Sequence, residues 1–82
     1  MTLSAIKDAI IEKIAELGEI ETHEVSEERA LRDLGIDSLM AIELVVFIER
    51  ILHRSFPEEK MGTIQTCADV FREAEILAKS AA

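Results

Sequence analysis

In residues 34–44, LGIDSLMAIEL, a loop rich in carboxylates gives way to a long segment of periodic apolar residues. Asp and Ser accept hydrogen bonds from the unpaired first-turn amides of a helix, and Gly35 allows a sharp turn just before them. The stretch therefore predicts a central helix that begins here, with Ser38 at or beside its N-cap, and that runs to about His53.

The hydroxyl of Ser38 has two interpretations. Ser38 and Asp37 can share the capping of the helix, which is the common use of such a pair. Alternatively, Ser38 is a site for a phosphate ester, because first-turn amides and the positive end of the helix dipole would both face the phosphate.

The predicted central helix carries apolar residues on two opposite sides. At about 3.6 residues per turn, a buried stripe is formed by Ala41, Leu44, Val45, Ile48 and Leu52. On the other side lie Leu39, Ile42 and Val46, flanked by Glu43, Glu49, Arg50 and His53. A simple amphipathic helix would be polar there. The second strip is therefore either covered by another segment of the chain or exposed as a protein-binding surface with an acidic rim.

The order Gly35-Ile36-Asp37-Ser38-Leu39, followed by Glu43-Leu44, resembles the modification motif of acyl carrier proteins. The resemblance covers nearly the whole chain, through Phe56-Pro57 and Ile64 to a final amphipathic segment. It implies an all-α fold: a small four-helix bundle with three main helices, a short third helix and a long first loop. We expect one carrier domain over residues 1–82.

The flanking segments have the matching pattern. From Leu3, the apolar spacing predicts a first helix, with Thr2 or Ser4 as its cap and Gly18 as the left-handed residue after its end. Residues 19–33 then form a long connection, and residues 30–34 are predicted to make a short helical turn. The apolar anchors expected to pin this connection are Ile20, Val25, Leu31 and Leu34.

The second half of the chain contains a proline and a capping pattern. Pro57 forces a fresh start, so residues 58–61 are predicted to form a short helical turn that Gly62 ends. Thr66 and Asp69 have the spacing of a capping box at the start of the last helix. That helix is expected to fade out over residues 79–82. Phe56, Met61 and Ile64 are expected to point inward, as plain core or, by the resemblance, as the wall of a cavity for an acyl chain.

Composition restricts the function classes. With 82 residues the chain builds a single small core, and a net charge of −8 argues against nucleic-acid binding and favours basic protein partners. Cys67 is the only cysteine, which fits a reducing compartment. Its place in a helix's first turn could favour a thiolate, but a small buried residue is the commoner use of such a cysteine.

We find no long apolar span and no signal-peptide layout, and expect a cytoplasmic monomer. His23 and Glu24 lack partners at metal-ligand spacing, and no metal site is predicted.

The resemblance assigns roles to the residues that match the motif. Ser38 would carry 4′-phosphopantetheine, transferred from coenzyme A by a phosphopantetheinyl transferase, and Asp37 would help to orient that enzyme. The protein would hold acyl intermediates as thioesters without catalytic residues of its own. Its partners would be acyl-transferring, ketosynthase and tailoring enzymes with basic docking patches. The residues expected to meet them are an apolar strip, Leu39, Ile42 and Val46, and an acidic rim, Glu43 and Glu49.

Some alternatives remain at this point. Met40 and Arg50 lie where the most acidic carriers often have a carboxylate, so a polyketide or other specialised pathway is at least as plausible as fatty acid synthesis. A peptidyl or aminoacyl carrier fits Gly35-Ile36-Asp37 poorly. A serine hydrolase lacks the Gly-x-Ser-x-Gly elbow around Ser38. A helical partner-binding adaptor without a cofactor would also explain the acidity and the strip.

Overall fold

Three α-helices and three short 3₁₀ segments make up the computed structural model, which describes residues 2–80. The α-helices are α1 (Leu3–Gly18), α2 (Ser38–Leu52) and α3 (Cys67–Lys79), and the 3₁₀ segments are Thr22–Glu24, Leu31–Leu34 and Glu58–Thr63. The predicted all-α bundle is confirmed, and its short third helix is the 3₁₀ segment Glu58–Thr63. Of the predicted fading end of the last helix, residues 81 and 82 lie outside the described residues.

The core lies where the three α-helices meet. Its fully buried side chains come from each of them: Ile10, Ile14, Leu44, Ile48, Cys67 and Val70. Each large apolar side chain moved from water into such a core contributes about 1.5–3 kcal/mol. Of the stripe predicted for α2, Leu44, Val45 and Ile48 are buried, while Ala41 and Leu52 are half-buried.

The long connection between α1 and α2 is pinned to this core. Val25, Leu31 and Leu34 are buried and Ile20 is half-buried, so the predicted anchors hold the connection. An isolated antiparallel bridge between Ala30 and Thr66 ties it to the start of α3. The loop before α2 is thereby fixed against the helices.

The cap of α3 is the predicted capping box. The N–H of Asp69 donates to Oγ1 of Thr66 at 3.2 Å, and Oδ2 of Asp69 accepts from the N–H of Thr66 and of Gln65, both at 3.0 Å. These two backbone donors, assisted by Arg72, lower the pKa of Asp69 to about 2. The charged carboxylate therefore stabilises the start of α3.

The end of α1 differs from the prediction. Gly18 is the last helical residue, and Glu19 takes the left-handed conformation with φ 55°. Gly18 is needed for another reason: a Cβ at this position would overlap the carbonyl oxygen of Leu34. The absence of a side chain lets α1 approach the segment that leads into α2.

The prediction that Gly62 ends the short helical turn of residues 58–61 is also wrong. The 3₁₀ segment continues through Gly62 to Thr63, whose hydroxyl donates to the carbonyl oxygen of Lys60 at 2.7 Å. A Cβ on Gly62 would meet open space, so neither packing nor backbone conformation requires a glycine there. Phe56, beside Pro57, is buried, and Met61 and Ile64 are half-buried.

In residues 2–80 no helix is both long enough and apolar enough to cross a membrane.

Candidate functional site

The site is built from the loop that precedes α2. Gly35 adopts a left-handed conformation with φ 84°, and Ile36 is buried, with its N–H donating to the carbonyl oxygen of Leu31 at 3.0 Å. A left-handed turn favours glycine because it lacks a Cβ. Gly35 and the buried Ile36 together fix the direction in which Asp37 and Ser38 leave the core.

Asp37 is the N-cap of α2. Its Oδ1 accepts from the N–H of Met40 at 2.9 Å, and its carbonyl oxygen accepts from the N–H of Ala41 at 2.9 Å. Ser38 is the first helical residue and is exposed. Within residues 2–80 the Ser38 hydroxyl makes no hydrogen bond. Asp37 therefore caps the helix without help from Ser38, and the hydroxyl is open to solvent.

The first turn of α2 also offers donors to an anion. The N–H groups of Ser38 and Leu39 have no acceptor in the part of the chain that the structure describes, because no helical carbonyl precedes them by four residues. The N–H of Met40 is bound by Asp37. Unpaired first-turn amides and the helix dipole together favour negative charge. Since Ser38 and its neighbours Asp37 and Leu39 are exposed, a phosphate ester fits here without displacing packed side chains.

The apolar strip of α2, which consists of Leu39, Ile42 and Val46, is exposed. The exposed fractions of these side chains are 68%, 48% and 38%. The alternative that another segment of the chain covers them is therefore wrong for residues 2–80. Glu43 is exposed beside the strip. An apolar patch with a charged rim of this kind is typical of protein-binding surfaces.

Glu49, the other predicted rim residue, has a structural contact that the sequence pattern did not indicate. Its Oε2 accepts from the N–H of Phe56 at 2.7 Å, and its side chain is partly buried. This bond joins α2 to the loop that carries the buried Phe56. Glu49 therefore lies on the rim with one carboxylate oxygen already bound.

A shallow, open cleft of about 420 Å³ lies at the carboxyl end of α2 and was not predicted as a site. The residues that line the cleft are Val46, Glu49, Arg50, His53, Arg54 and Ser55. Arg54 donates to the carbonyl oxygen of Ser80. The signal was present in the sequence, because positions 46, 50 and 53 continue the spacing of the strip along the same face. A second cleft lies between α1 and α3. Neither cleft is lined by Phe56, Met61 or Ile64.

Cys67 is buried in the core. Burial raises the pKa of the Cys67 thiol, with an opposing effect from Arg29, so the thiol stays neutral and acts as a small core residue. Among the described residues, no three His, Cys, Asp or Glu side chains lie together in a way that could hold a metal ion.

Comparison with known proteins gives consistent matches. Residues 1–69 match a family model described as the C-terminal ACP domain of the highly reducing polyketide synthase sdgA. An acyl carrier protein of Wolinella succinogenes is 39% identical over 72 residues, which cover 87% of this chain and 95% of that protein. The 3-methylorcinaldehyde synthase of a Phoma species is 34% identical over 70 residues, or 85% of this chain but 3% of the synthase.

The fold also matches a solved carrier structure. The NMR structure of the HMG-ACPI domain from the CurA module of Lyngbya majuscula aligns with a TM-score of 0.73 and 27% identity, over 94% of this chain and 79% of that one. Sequence and fold thus agree, and the chain belongs to the acyl carrier protein family, whose members carry acyl groups of fatty acid or polyketide biosynthesis on phosphopantetheine.

Proposed function

We propose that residues 1–82 form a single carrier domain in which Ser38 is esterified with 4′-phosphopantetheine by a phosphopantetheinyl transferase that uses coenzyme A. The proposal rests on one observation above all: the Ser38 hydroxyl is exposed at the start of α2 and is left out of the cap, which Asp37 supplies. When bound, the group supplies a terminal thiol on a flexible arm.

The residues around Ser38 have separate tasks in this proposal. The N–H groups of Ser38 and Leu39 and the dipole of α2 would stabilise the phosphate charge. Asp37 keeps the first turn of α2 closed and, beside the hydroxyl, helps to orient the transferase. The family is not itself catalytic, and the reactions on the acyl group belong to partner enzymes.

The apolar strip of α2 is proposed to be the surface on which these partners dock. They comprise the transferase and acyl-transferring, ketosynthase and tailoring enzymes with basic patches, which would meet Glu43 and the free oxygen of Glu49. Docking next to Ser38 turns each delivery into a local encounter, because attachment gives the acyl group a high effective concentration. The three exposed apolar side chains of the strip offer less area than a stable dimer interface buries, so we propose a monomer.

The carrier is proposed to work in the cytoplasm. A thiol at the end of the arm must stay reduced to form thioesters, and this condition is met in reducing compartments. The single buried cysteine of the chain is compatible with the same environment.

Intact mass spectrometry after incubation with coenzyme A and a promiscuous phosphopantetheinyl transferase tests the attachment. The wild-type chain should gain the mass of one phosphopantetheine group. Ser38→Ala should gain none while its circular dichroism stays unchanged, since the exposed hydroxyl makes no contact that folding needs. Ser4→Ala is the matched control, an exposed serine in the first turn of α1, and should be loaded like the wild type.

Two results would contradict the assignment. One is a full mass gain by Ser38→Ala, which would move the attachment elsewhere. The other is an unmodified wild-type chain under conditions that load a known carrier; this would favour the adaptor without a cofactor.

A further inference from the structure

The exposed face of α2 changes character along its length. Glu43 lies beside the apolar strip near Ser38, whereas Arg50 and His53 follow Val46 at helical spacings of four and three residues. Near Ser38 the face therefore carries the carboxylate of Glu43. At the carboxyl end, basic side chains outnumber the one carboxylate, Glu49, which already accepts from the N–H of Phe56. The chain as a whole is acidic, with a net charge of −8, so a cluster of basic side chains on this face differs from the average charge of the surface.

The basic end is a shallow, open cleft, and two of its lining residues are bonded to other parts of the chain. Arg54 is held by the carbonyl oxygen of Ser80, and Glu49 is held by the N–H of Phe56. Val46 belongs both to the apolar strip and to the lining of this cleft, so the two surfaces are continuous. A partner that covers the strip also reaches the cleft.

Arg50 keeps its charge free for an external group. It is exposed, and no carboxylate within residues 2–80 forms an ion pair with it. Ion pairs to carboxylates are formed by Lys7, Lys13, Arg72 and Lys79, so Arg50 is one of the cations that residues 2–80 leave without a carboxylate. The helix dipole favours a cation in the last turn of α2, but that effect acts on stability and requires no cleft.

The two charged ends are far enough apart to act separately. Seven residues separate Glu43 from Arg50, which corresponds to about 10 Å along a helix that rises 1.5 Å per residue. The Debye length at physiological ionic strength is about 8 Å. A partner surface therefore interacts with the charges of Glu43 and Arg50 separately, and the two charges do not cancel each other at its surface.

We propose that a partner enzyme docked on α2 contributes a carboxylate to the cleft between Arg50, His53 and Arg54, in addition to a basic group that faces Glu43. The inference rests on the proposed docking role of the strip and adds the chemistry of the partner. A partner turned end for end would bring like charges together at both ends. The charge pattern thus fixes the direction of docking, and with it the side from which Ser38 is presented.

The test measures direct binding of the unmodified carrier to a ketosynthase domain from a highly reducing polyketide synthase, by isothermal titration calorimetry at low salt. Arg50→Glu is compared with Arg29→Glu. Arg29 is also exposed and without an ion pair in the described chain, but it belongs to the loop between α1 and α2, where its carbonyl oxygen accepts from the N–H of Cys67 at 3.0 Å. Both replacements lower the net charge by the same amount, so any general attraction to a basic partner surface changes equally in the two variants.

The direction in which Arg50→Glu changes Kd, relative to Arg29→Glu, tests the proposal. With a carboxylate in the cleft, Arg50→Glu should raise Kd about tenfold relative to Arg29→Glu, and Arg50→Gln should fall between wild type and Arg50→Glu. If partners instead present only basic groups along α2, Arg50→Glu should bind as tightly as the control or tighter, and the proposal is overturned. No detectable binding by the wild type also overturns it.

Failure of the proposed function would look different. These titrations use unmodified protein and do not depend on Ser38. A missing mass gain on loading would remove the carrier assignment while leaving the binding result intact, and circular dichroism of each variant checks that it is folded.

Discussion

At the end of α1, replacing Gly18 should lower the stability of the fold, whereas replacing its neighbour Glu19 by glycine should raise it. Gly18 is helical and faces the carbonyl oxygen of Leu34, while Glu19 holds the left-handed conformation. Gly18→Asn is the informative change. Asparagine tolerates left-handed backbone well, so it would cost little if Gly18 were the left-handed cap. In the structure, however, its Cβ would collide with a backbone atom, which cannot rotate away.

The magnitudes follow from this geometry. Forcing extra atoms into a packed contact costs about 1–3 kcal/mol, which lowers the melting temperature by roughly 4–8 °C for each kcal/mol in a domain of this size. At Glu19, glycine removes a left-handed penalty of about 1–2 kcal/mol but raises the entropy of the unfolded chain by about 0.4–1 kcal/mol. Glu19→Gly should therefore be more stable than wild type by about 0.5–1 kcal/mol.

Urea unfolding followed by circular dichroism measures both variants on one scale, with wild type and Gly62→Asn as references. Gly62 has open space around it, so the same replacement there adds no contact. The reasoning is refuted if Gly18→Asn unfolds at the wild-type urea concentration, or if Glu19→Gly is destabilised.

Two further predictions concern α3 and the docking surface. Because the pKa of Asp69 is lowered to about 2, its carboxylate stabilises the fold fully above pH 4 or so and loses that effect as the pH falls toward 2. Asp69→Asn should lower the free energy of unfolding by about 1–2 kcal/mol at neutral pH. In urea unfolding at several pH values, the free energy of unfolding should fall less below pH 4 for this variant than for wild type; an equal fall in both proteins would contradict the role of Asp69 in the cap. Glu43→Lys should slow acyl transfer to a ketosynthase about tenfold at low salt without lowering the melting temperature, whereas Glu12→Lys, an exposed change on α1, should affect transfer less; an unchanged rate for Glu43→Lys would count against its docking role.

Much of the site geometry could be predicted because it depends on neighbours in sequence. The start of α2, the caps at Asp37 and Thr66, and the buried positions Leu44 and Ile48 follow from hydrogen bonds three or four residues long and from helical periodicity. The exposure of Leu39 required the structure, because periodicity shows which side a residue faces and not whether another segment covers that side.

The errors and omissions involve residues distant in sequence. Gly18 was assigned a conformational role because a glycine near a helix end usually has one, but its actual constraint comes from Leu34. Glu49 was assigned to the surface by its helical position, yet it also accepts from the N–H of Phe56 across the loop. No local pattern predicts either contact.

The sequence by itself determined the three α-helices, the capping box of α3 and the motif around Ser38, because these depend on interactions within one or two helical turns. Only the tertiary structure decided that the Ser38 hydroxyl stays free, that the strip beside it is uncovered, and that Arg50 lines a cleft continuous with that strip. The physical reason is that exposure and pairing depend on which distant segments approach each other, and this is set by the packing of the three helices and the loop between α1 and α2.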